Sequence, residues 1–357
     1  MSLTDYLLIP FSFIYGFLTD TRNWLYDTKF WEEHTFKVPI INVGNLTVGG
    51  TGKTPHVEYL VKLLKDKHSV TTLSRGYGRK TKGFIIANSS ATAQTIGDEP
   101  YQFYRKFKDA IRVAVGENRV DAISKILNQR AGNDLIILDD AFQHRAVKPS
   151  LNLLLIDFSR PIYYDFTFPA GRLRERRHGA KRADVAIITK CPEDLSGNEQ
   201  HRIKQNLQPY SKPNIPVFFT KIRYGKPQNC RFGEENIDLK KVVLLSGIAN
   251  PTPFETFAKA KFEVIYHFVF KDHHNYSEKD FKEIRTNIKS DDISILMTEK
   301  DMVKFQPFLR HELLRDLSLY YLPIEIIFLE NEMKTNFDKL ITAHVNLTYP
   351  VNLGIQG

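Results

Sequence analysis

Short apolar runs alternate with polar, helix-periodic stretches along most of the chain. This order is typical of repeated strand–helix–strand units, which build a parallel sheet flanked by helices. The apolar runs predicted as strands are residues 38–43, 70–73, 112–115, 135–138, 151–156, 185–188, 217–220, 242–245, 262–267 and 294–297. The periodic stretches predicted as helices are residues 56–64, 119–128 and 277–288. The pattern therefore predicts an α/β fold with a mostly parallel sheet.

The N-terminal segment 6–18, YLLIPFSFIYGFL, is the most apolar part of the chain. It is shorter than the ~20 apolar residues that a spanning helix needs, and Asp5 stands where a secretory signal would carry positive charge. Apolar residues recur at helical spacing at Leu7, Phe11, Ile14, Leu18 and Leu25. Arg22 and Lys29 are placed to meet lipid head groups. The pattern fits an amphipathic helix in a membrane interface, and it fits equally a helix packed on the protein's own core.

The length, charge and cysteine content of the chain limit the classes of protein to which it can belong. The chain has 357 residues, 42% of them hydrophobic, enough for one large domain or two smaller ones. Fifty Lys and Arg against 41 Asp and Glu give a net charge of +9, which favours an acidic partner: nucleic acid, anionic lipid or a phosphorylated substrate. No RNP, zinc-finger or basic-region pattern is present, which disfavours nucleic acid. Cys191 and Cys230 lack metal-ligand or CxxC spacing, so a reducing compartment without disulfides is expected.

The segment 38–55, VPIINVGNLTVGGTGKTP, combines a buried strand, a glycine-rich turn and a helix start. Gly49, Gly50 and Gly52 allow backbone amides to curl around phosphate oxygens. Lys53 is placed to reach the β and γ phosphates and Thr54 to bind Mg²⁺. The segment therefore predicts a phosphate-binding loop, with a structural glycine turn beside a solvated lysine as the alternative.

A second acidic element follows the strand LIILDD, where Asp139 and Asp140 stand side by side. A carboxylate at the end of a buried strand holds Mg²⁺ in nucleotidases with a phosphate loop. Gln143 and His144 follow in the same loop, at the carboxyl edge of the predicted sheet. Asp157, after LNLLLI, is the second choice for this acidic position.

Two glycine-framed segments lie between these motifs, SRGYGR and GDEP. Arg75 and Tyr77 in the first are suited to binding an anionic substrate or stacking on a sugar. Asp98 in the second is expected to be a free carboxylate in a turn framed by glycine and proline. Glycine turns with surface charges are the alternative for both segments.

The segment FPAGRLRERRHG packs Arg172, Arg174, Arg176 and Arg177 around Glu175. So dense a cation cluster favours phosphate binding, with a solvated basic loop as the alternative. An arginine that stabilises the transferred charge is expected to come from here.

The segment KDHHNY places Asp272, His273 and His274 in a row after a strand. Adjacent histidines point in different directions and do not easily share one metal ion. A histidine beside an aspartate is better suited to relaying a proton.

Together these segments, in this order, resemble the tetraacyldisaccharide 4'-kinase family, the lipid A 4'-kinases of Gram-negative bacteria. The resemblance covers nearly the whole chain, including LSRGYGR, LDDAFQHR, PAGRLRE, DHHNY and MTEKDMVKF. Thr47, unusual for a general phosphate loop, belongs to this family's version of it. Ala141 departs from the glycine of the family pattern and is expected to be tolerated unless φ is positive there.

The resemblance implies transfer of the γ-phosphate of Mg·ATP to the 4'-hydroxyl of a tetraacylated, 1-phosphorylated glucosamine disaccharide. The cofactors implied are ATP and Mg²⁺, and the location is the cytoplasmic face of the inner membrane, where the protein is peripheral or monotopic. The partners implied are the lipid A disaccharide precursor and an anionic membrane surface. Neither nucleic acid nor an obligate protein partner is expected.

Site residues are implied by matching positions. For catalysis these are Asp98 acting with His273 on the sugar hydroxyl proton, Asp139, Asp140 and Lys53. The nucleotide-binding positions are Gly49, Gly50, Thr51, Gly52, Lys53 and Thr54. The substrate-facing positions are Asn45, Arg75, Tyr77, Arg119, Gln143, His144, Arg174 and Glu175. The metal-binding positions are Thr54, Asp139, Asp140 and Glu175.

A proline-rich stretch, residues 208–227, suggests a change of subdomain near residue 220. The predicted organisation is an amphipathic helix at 1–35, a phosphate-loop kinase core at 36–220, and a smaller α/β subdomain at 221–357 that completes the cleft. Two other functions remain open. One is a GTPase or ATPase switch that needs no sugar pocket. The other is a membrane-associated nucleic-acid-binding module, which would not explain Lys53, Thr54 and the aspartate pair.

Overall fold

The computed structural model describes residues 3–129, 135–232, 239–272, 274–288 and 292–348. Its strands are β1 (Ile40–Asn45), β2 (Val70–Ser74), β3 (Ile85–Ile86), β4 (Arg112–Val115), β5 (Leu135–Asp139), β6 (Leu151–Asp157), β7 (Val185–Thr189), β8 (Val217–Tyr224), β9 (Gln228–Asn229), β10 (Lys241–Ser246), β11 (Glu263–Val269), β12 (Ile293–Thr298), β13 (Leu319–Leu322) and β14 (Ile324–Phe328). Its α-helices are α1 (Leu3–Asp27), α2 (Lys53–Leu64), α3 (Ala93–Ile96), α4 (Asp98–Phe107), α5 (Arg119–Asn128), α6 (Gly197–Leu207), α7 (Thr252–Lys261), α8 (Glu278–Asn287), α9 (Glu299–Phe305) and α10 (Asn331–Thr348).

The larger sheet has nine strands in the order β14-β8-β7-β6-β1-β5-β2-β4-β3. Its inner strands are parallel, and only the edge strands β3 and β14 run antiparallel to their neighbours. Strands β1, β2 and β5 are buried along their whole length, as expected for a parallel sheet covered on both faces. Since β1 lies between β5 and β6, the loops after β1, β5 and β2 meet at one edge of the sheet.

The smaller sheet has the order β11-β10-β12-β13-β9, with β9 antiparallel to β13. Its two faces are covered by separate hydrophobic clusters, one around Phe281 and Phe305 and the other around Phe254. This second α/β layer packs beside the carboxyl edge of the larger sheet, so that a cleft forms between the two sheets.

Every strand and helix predicted from the apolar pattern is present, with ends shifted by a few residues. The predicted α/β class is confirmed. The division near residue 220 stays a prediction, and the structure adds two facts that bear on it. Strand β8 runs through residue 220, and the chain returns to the larger sheet at the end. There β14 pairs with β8, and Phe337 and Ile341 of α10 pack into the core of that sheet.

Helix α1 attaches to the protein through its small and polar side chains. Ser12 and Asn23 are 3% and 5% exposed, whereas the apolar side chains of the outer face are largely exposed. Those side chains are Leu7, Phe11, Phe13, Ile14, Phe17, Leu18 and Trp24. The predicted helix is present, but the alternative in which its apolar stripe packs on the core is wrong. Among the described helices, none is both long enough and apolar enough to cross a bilayer.

Candidate active site

The cleft between the two sheets has a volume of about 1460 Å³. Its floor is formed by the loops at the carboxyl ends of β1, β2 and β5, and its far wall by the smaller sheet. Helix α1 contributes Tyr15, Thr19 and Arg22 to the rim. The site residues predicted from the sequence can therefore be placed relative to a single cavity.

The phosphate-binding loop lies between β1 and α2. Its backbone turns through Gly49 (φ 108°) and Gly52 (φ 85°), conformations that side chains other than glycine rarely adopt. The Asn45 side chain donates to Thr51 Oγ1 at 2.8 Å, and Thr189 Oγ1 donates to the Thr51 carbonyl at 2.9 Å. The loop is thus held by β1 on one side and β7 on the other.

Asn45 was predicted to face the substrate, and the structure gives it a different place. Its side chain is fully buried and is used to bind Thr51. It does not line the cleft, so any influence on a ligand passes through the loop.

His56 ties the loop to the sheet from the first turns of α2. Its Nδ1 lies 2.7 Å from the Gly52 carbonyl oxygen, and its Nε2 lies 3.1 Å from Thr220 Oγ1 on β8. Burial lowers the pKa of His56 from 6.5 to about 4, although the hydrogen bond to Gly52 acts in the opposite direction. The imidazole is therefore neutral in the folded protein at neutral pH.

This shift predicts an acid-sensitive contribution to stability. A histidine whose pKa is lower in the folded state stabilises the fold above its unfolded pKa of 6.5, and that stabilisation is lost as the pH falls toward 4. We expect His56 to account for a decrease of about 3 kcal/mol in the free energy of unfolding over this range. Denaturant unfolding of the wild type and of His56→Gln at several pH values checks this. The variant should lose less stability on acidification than the wild type and than the exposed control His201→Gln. Equal losses in all three would refute the assignment.

The aspartate pair follows β5, and its two members have different surroundings. Asp139 is buried, and its Oδ1 has no hydrogen-bond partner among the described residues. Burial and the neighbouring Asp140 raise the pKa of Asp139 to about 7. Burial also acts to raise the pKa of Asp140, but Lys53 and Arg174 hold it below its usual range. Asp140 Oδ1 accepts from Arg174 at 2.8 Å, and its Oδ2 lies 3.6 Å from Lys53 Nζ.

The backbone at Asp140 explains why the departure from the family pattern at the next residue is harmless. Asp140 has a φ of 54°, while Ala141 is not among the positive-φ residues. The condition under which alanine would be strained is therefore not met, and Ala141 packs into the hydrophobic cluster behind β5.

The surroundings of Asp139 and Asp140 fit a magnesium ion. A buried carboxylate oxygen without a partner, in a cleft that Thr54 also lines, suits a hard cation with oxygen ligands. No cluster of three or more His, Cys, Asp or Glu side chains able to hold a metal occurs among the described residues. Such a short protein ligand set suits Mg²⁺, which usually keeps waters and phosphate oxygens in its shell.

Glu175, in contrast, is not placed to bind metal or substrate. It is fully buried and accepts hydrogen bonds from Asn23 at 2.7 Å, Arg182 at 2.6 Å and Gln143 at 3.0 Å. Burial acts to raise its pKa, but Arg182 and the hydrogen bonds hold that pKa below its usual range. The predicted roles of Glu175 in metal and substrate binding are therefore corrected, because its oxygens already accept from Asn23 of α1, Gln143 and Arg182.

Gln143 belongs to the same network as Glu175. Besides Glu175, its Nε2 binds the Asn45 carbonyl at 2.9 Å, and its Oε1 accepts from Arg174 at 3.3 Å. Gln143 lines the cleft and at the same time connects the phosphate loop to the arginine-rich segment.

Arg75, Tyr77, Arg119 and His144 all line the cleft, and their contact with substrate stays a prediction. Tyr77 is 70% exposed, whereas Arg119 is buried and donates to the Gly116 carbonyl at 2.7 Å. Burial and the neighbouring Arg75 lower the pKa of Arg119 to about 10. Burial, Arg119 and Arg75 lower the pKa of His144 to about 4. These residues therefore combine fixed positive charge with a neutral imidazole, a suitable surface for an anionic sugar phosphate.

The four arginines of residues 168–178 divide into two pairs. Arg172 and Arg174 line the cleft. Arg176 pairs with Asp20 of α1 at 3.2 Å, and Arg177 donates to the Asp165 carbonyl. The cluster was expected as a whole to meet phosphate. Only the first pair faces the cavity, because the second pair fastens α1 and the adjoining loop.

Asp98 is not a free carboxylate in a turn. It is the first residue of α4, and its Oδ2 lies 3.4 Å from Lys304 Nζ of α9. The sequence interpretation missed this helix because glycine and proline frame its first turn, where proline is in fact well tolerated. His273 lies outside the described residues, so its placement beside Asp98 stays a prediction. Asp272, the residue before it, lines the cleft.

Several cleft residues were not predicted. Lys190 follows β7, binds Asp157 at 2.7 Å and also contacts the Gly50 carbonyl. Asp157, the second choice for the acidic strand end, is thereby already paired with a lysine. Glu99 and Lys300 face the cavity from α4 and α9. The family segments GDEP and MTEKDMVKF contained both, but no local pattern marked them.

Comparison with known proteins gives a consistent result. The family model for tetraacyldisaccharide-1-P 4'-kinase matches residues 4–343. The tetraacyldisaccharide 4'-kinase of Flavobacterium psychrophilum is 43% identical over 341 residues, which cover 95% of this chain and 96% of that protein. That of Bacteroides thetaiotaomicron is 40% identical over 358 residues, covering 95% and 92%.

A solved structure agrees in three dimensions. LpxK from Aquifex aeolicus, crystallised in complex with ATP, superposes with a TM-score of 0.75 at 30% identity. The match covers 96% of this chain and 100% of that one. The family, enzyme class and fold predicted from the motifs are confirmed by these matches. This chain therefore belongs to the tetraacyldisaccharide-1-P 4'-kinase family.

Proposed function

We propose that this protein transfers the γ-phosphate of ATP to the 4'-hydroxyl of tetraacyldisaccharide 1-phosphate in lipid A synthesis. The observation that carries the proposal is the grouping of Lys53, Asp140 and Arg174 where the phosphate loop opens into the cleft. Two cations around one carboxylate provide the charge neutralisation that phosphoryl transfer requires. Arg75 and Arg119, which line the same cleft, suit the 1-phosphate sugar.

Mg²⁺ bound with ATP would be held by Thr54, Asp139 and Asp140 and would neutralise charge on the phosphates. Lys53 reaches toward the same phosphates from the start of α2. Arg174 is held 2.8 Å from Asp140. From this position it is proposed to stabilise the negative charge on the transferred group. The protein supplies mostly position and charge, because phosphoryl transfer needs little covalent chemistry from its catalyst.

A sugar hydroxyl is a weak nucleophile and gains from a base that accepts its proton. Asp98, at the start of α4, is proposed for this role, with His273 as its partner. In support, Glu99 and Asp272, the neighbours of these two residues in sequence, both line the cleft.

The apolar outer face of α1 is proposed to lie in the membrane interface that holds the acylated substrate. Its exposed phenylalanines and leucines lie on the same helix as Arg22, and an apolar helix face with a nearby cation suits anionic lipid. Tyr15 and Thr19 of the same helix line the cleft, so a lipid head group at this surface would lie near the proposed reaction centre. The cytoplasmic face of the inner membrane, as a peripheral or monotopic protein, is the proposed location.

Transfer of label tests the function. The purified protein is incubated with γ-labelled ATP, Mg²⁺ and tetraacyldisaccharide 1-phosphate in detergent micelles, and label is followed into lipid. Lipid labelling that depends on the disaccharide is the expected result. Release of label as inorganic phosphate alone, independent of the lipid, would contradict the proposal and favour a nucleotidase switch.

A further inference from the structure

Helix α9 packs against α4 through charged side chains that neither the phosphate loop nor the proposed metal site explains. It begins directly after β12 of the smaller sheet, whereas α4 covers the larger sheet. Glu299, Lys300 and Lys304 of α9 each form an ion pair with a residue of α4. The contact between the two halves of the molecule is therefore ionic at this point, and it lies beside the cleft.

Lys304 is paired with Asp98, the proposed base. Its side chain is only 7% exposed, and its Nζ lies 3.4 Å from Asp98 Oδ2. A buried ammonium group is costly unless a carboxylate compensates it, so the two side chains favour each other's position. The pair thus restrains the direction of the Asp98 side chain.

Lys300 stands one helical turn before Lys304 and joins the two segments that carry the proposed base pair. Its Nζ lies 3.4 Å from Glu99 Oε1 and 3.3 Å from Asp272 Oδ1. Glu99 follows Asp98 in sequence, and Asp272 precedes His273. One lysine therefore contacts the immediate neighbour of each proposed catalytic group.

The helix that carries these lysines is itself firmly attached on both sides. Toward the larger sheet, Glu299 accepts from Lys106 at 2.8 Å, and Lys106 also binds Glu58 of α2 at 2.6 Å. Toward the smaller sheet, the fully buried Asp301 accepts from the Gly247 amide at 3.0 Å and from Tyr276 Oη at 2.8 Å. Because α2 begins with Lys53, α9 is linked through α4 to the phosphate loop.

We infer that Lys300 and Lys304 are positioning residues for phosphoryl transfer. Lys304 orients the Asp98 carboxylate, and Lys300 holds the loop of Asp272 against α4. The inference rests on the proposed function of Asp98 as the base. Neither lysine is required to touch the reacting atoms, so their effect should pass entirely through Asp98 and its partner.

A double-mutant cycle tests this. Rates of label transfer and the KM for ATP are measured for Lys304→Met and Lys300→Met, alone and combined with Asp98→Ala, and for Lys304→Arg. We expect each methionine variant to lower kcat by about 10- to 100-fold, with KM for ATP changed less than about twofold. Lys304→Arg should recover part of the rate. In the Asp98→Ala background either methionine should cost less than about twofold, because the group it positions is gone.

Lys282→Met is the matched control, since Lys282 is an exposed lysine of α8 that pairs with Glu278 of its own helix. It should leave kcat unchanged.

Equal losses for Lys304→Met in both backgrounds would show a merely structural role and overturn the inference while leaving Asp98 as the base. Full activity of Asp98→Ala itself would instead refute the proposed base and the inference with it. Thermal unfolding of each variant separates a loss of rate from a loss of folded protein.

Discussion

Lys53→Met should reduce kcat/KM for label transfer on the order of 10³-fold, the largest effect we expect from a single substitution. Lys53 is the first residue of α2, and its Nζ points to Asp140 at 3.6 Å, at the mouth of the phosphate loop. Methionine keeps the length of the side chain but removes the charge. The loop itself should survive, because Thr51 and Gly52 are held by Thr189 and His56 rather than by the lysine.

Lys62→Met provides the comparison, because Lys62 lies on the same helix, is exposed, and is far from the cleft. It should retain the full rate. Steady-state transfer assays of both variants measure kcat/KM, and thermal unfolding shows whether each variant is folded. A loss of less than tenfold for Lys53→Met, with normal stability, would mean that the cluster of Lys53, Asp140 and Arg174 is not the phosphate-transfer site.

The second large effect concerns the membrane surface. Replacing Phe11, Phe13 and Phe17 together with aspartate should lower binding to anionic vesicles on the order of 10³-fold or more. These rings are 59%, 63% and 66% exposed, so their removal costs the folded protein little, whereas transfer of three aromatic side chains into lipid is strongly favourable. The added negative charges also oppose binding to anionic lipid. Vesicle sedimentation measures the binding.

The affinity for ATP of this triple variant should stay at the wild-type value, since the substituted face points away from the cleft. Leu347→Asp is the matched control, an exposed apolar residue on α10 at 84% exposure. It should bind vesicles like the wild type. If both proteins lost vesicle binding equally, or if the triple variant lost none, α1 would not be the membrane-contacting surface.

Local pattern was sufficient for much of this molecule. The strands of the larger sheet are continuous apolar runs bounded by turn residues, a signal carried by adjacent positions. The phosphate loop likewise depends on glycines and a lysine within a few residues of one another. Helices α4 and α9 were missed because glycine and proline frame the first turn of α4, and α9 is only seven residues long. Tertiary packing stabilises both, since Phe103 and Phe107 of α4 enter the core of the larger sheet and Phe305 of α9 enters that of the smaller one.

The amphipathic pattern of α1 predicted a helix but not which face is buried. Hydrophobic spacing places Phe11 and Leu18 on one side of the helix. Burial of that side in the protein core and burial in a membrane would both satisfy the pattern. Contacts from distant residues decide between them. The Thr167 side chain and the Ala170 amide bind Ser12, while Arg176 pairs with Asp20, so the polar face is turned inward.

What the sequence by itself determined is the family, the α/β class and the phosphate loop, because each rests on residues that are neighbours along the chain. Only the tertiary structure decided which side chains interact with each charged group. Glu175 was expected at the metal, yet three donors from separate segments fill its oxygens. Asp98 was expected to be free, yet it forms an ion pair with Lys304, which lies 206 positions later in the sequence. Charge compensation in a buried site depends on distance in space, and a linear pattern does not contain that distance.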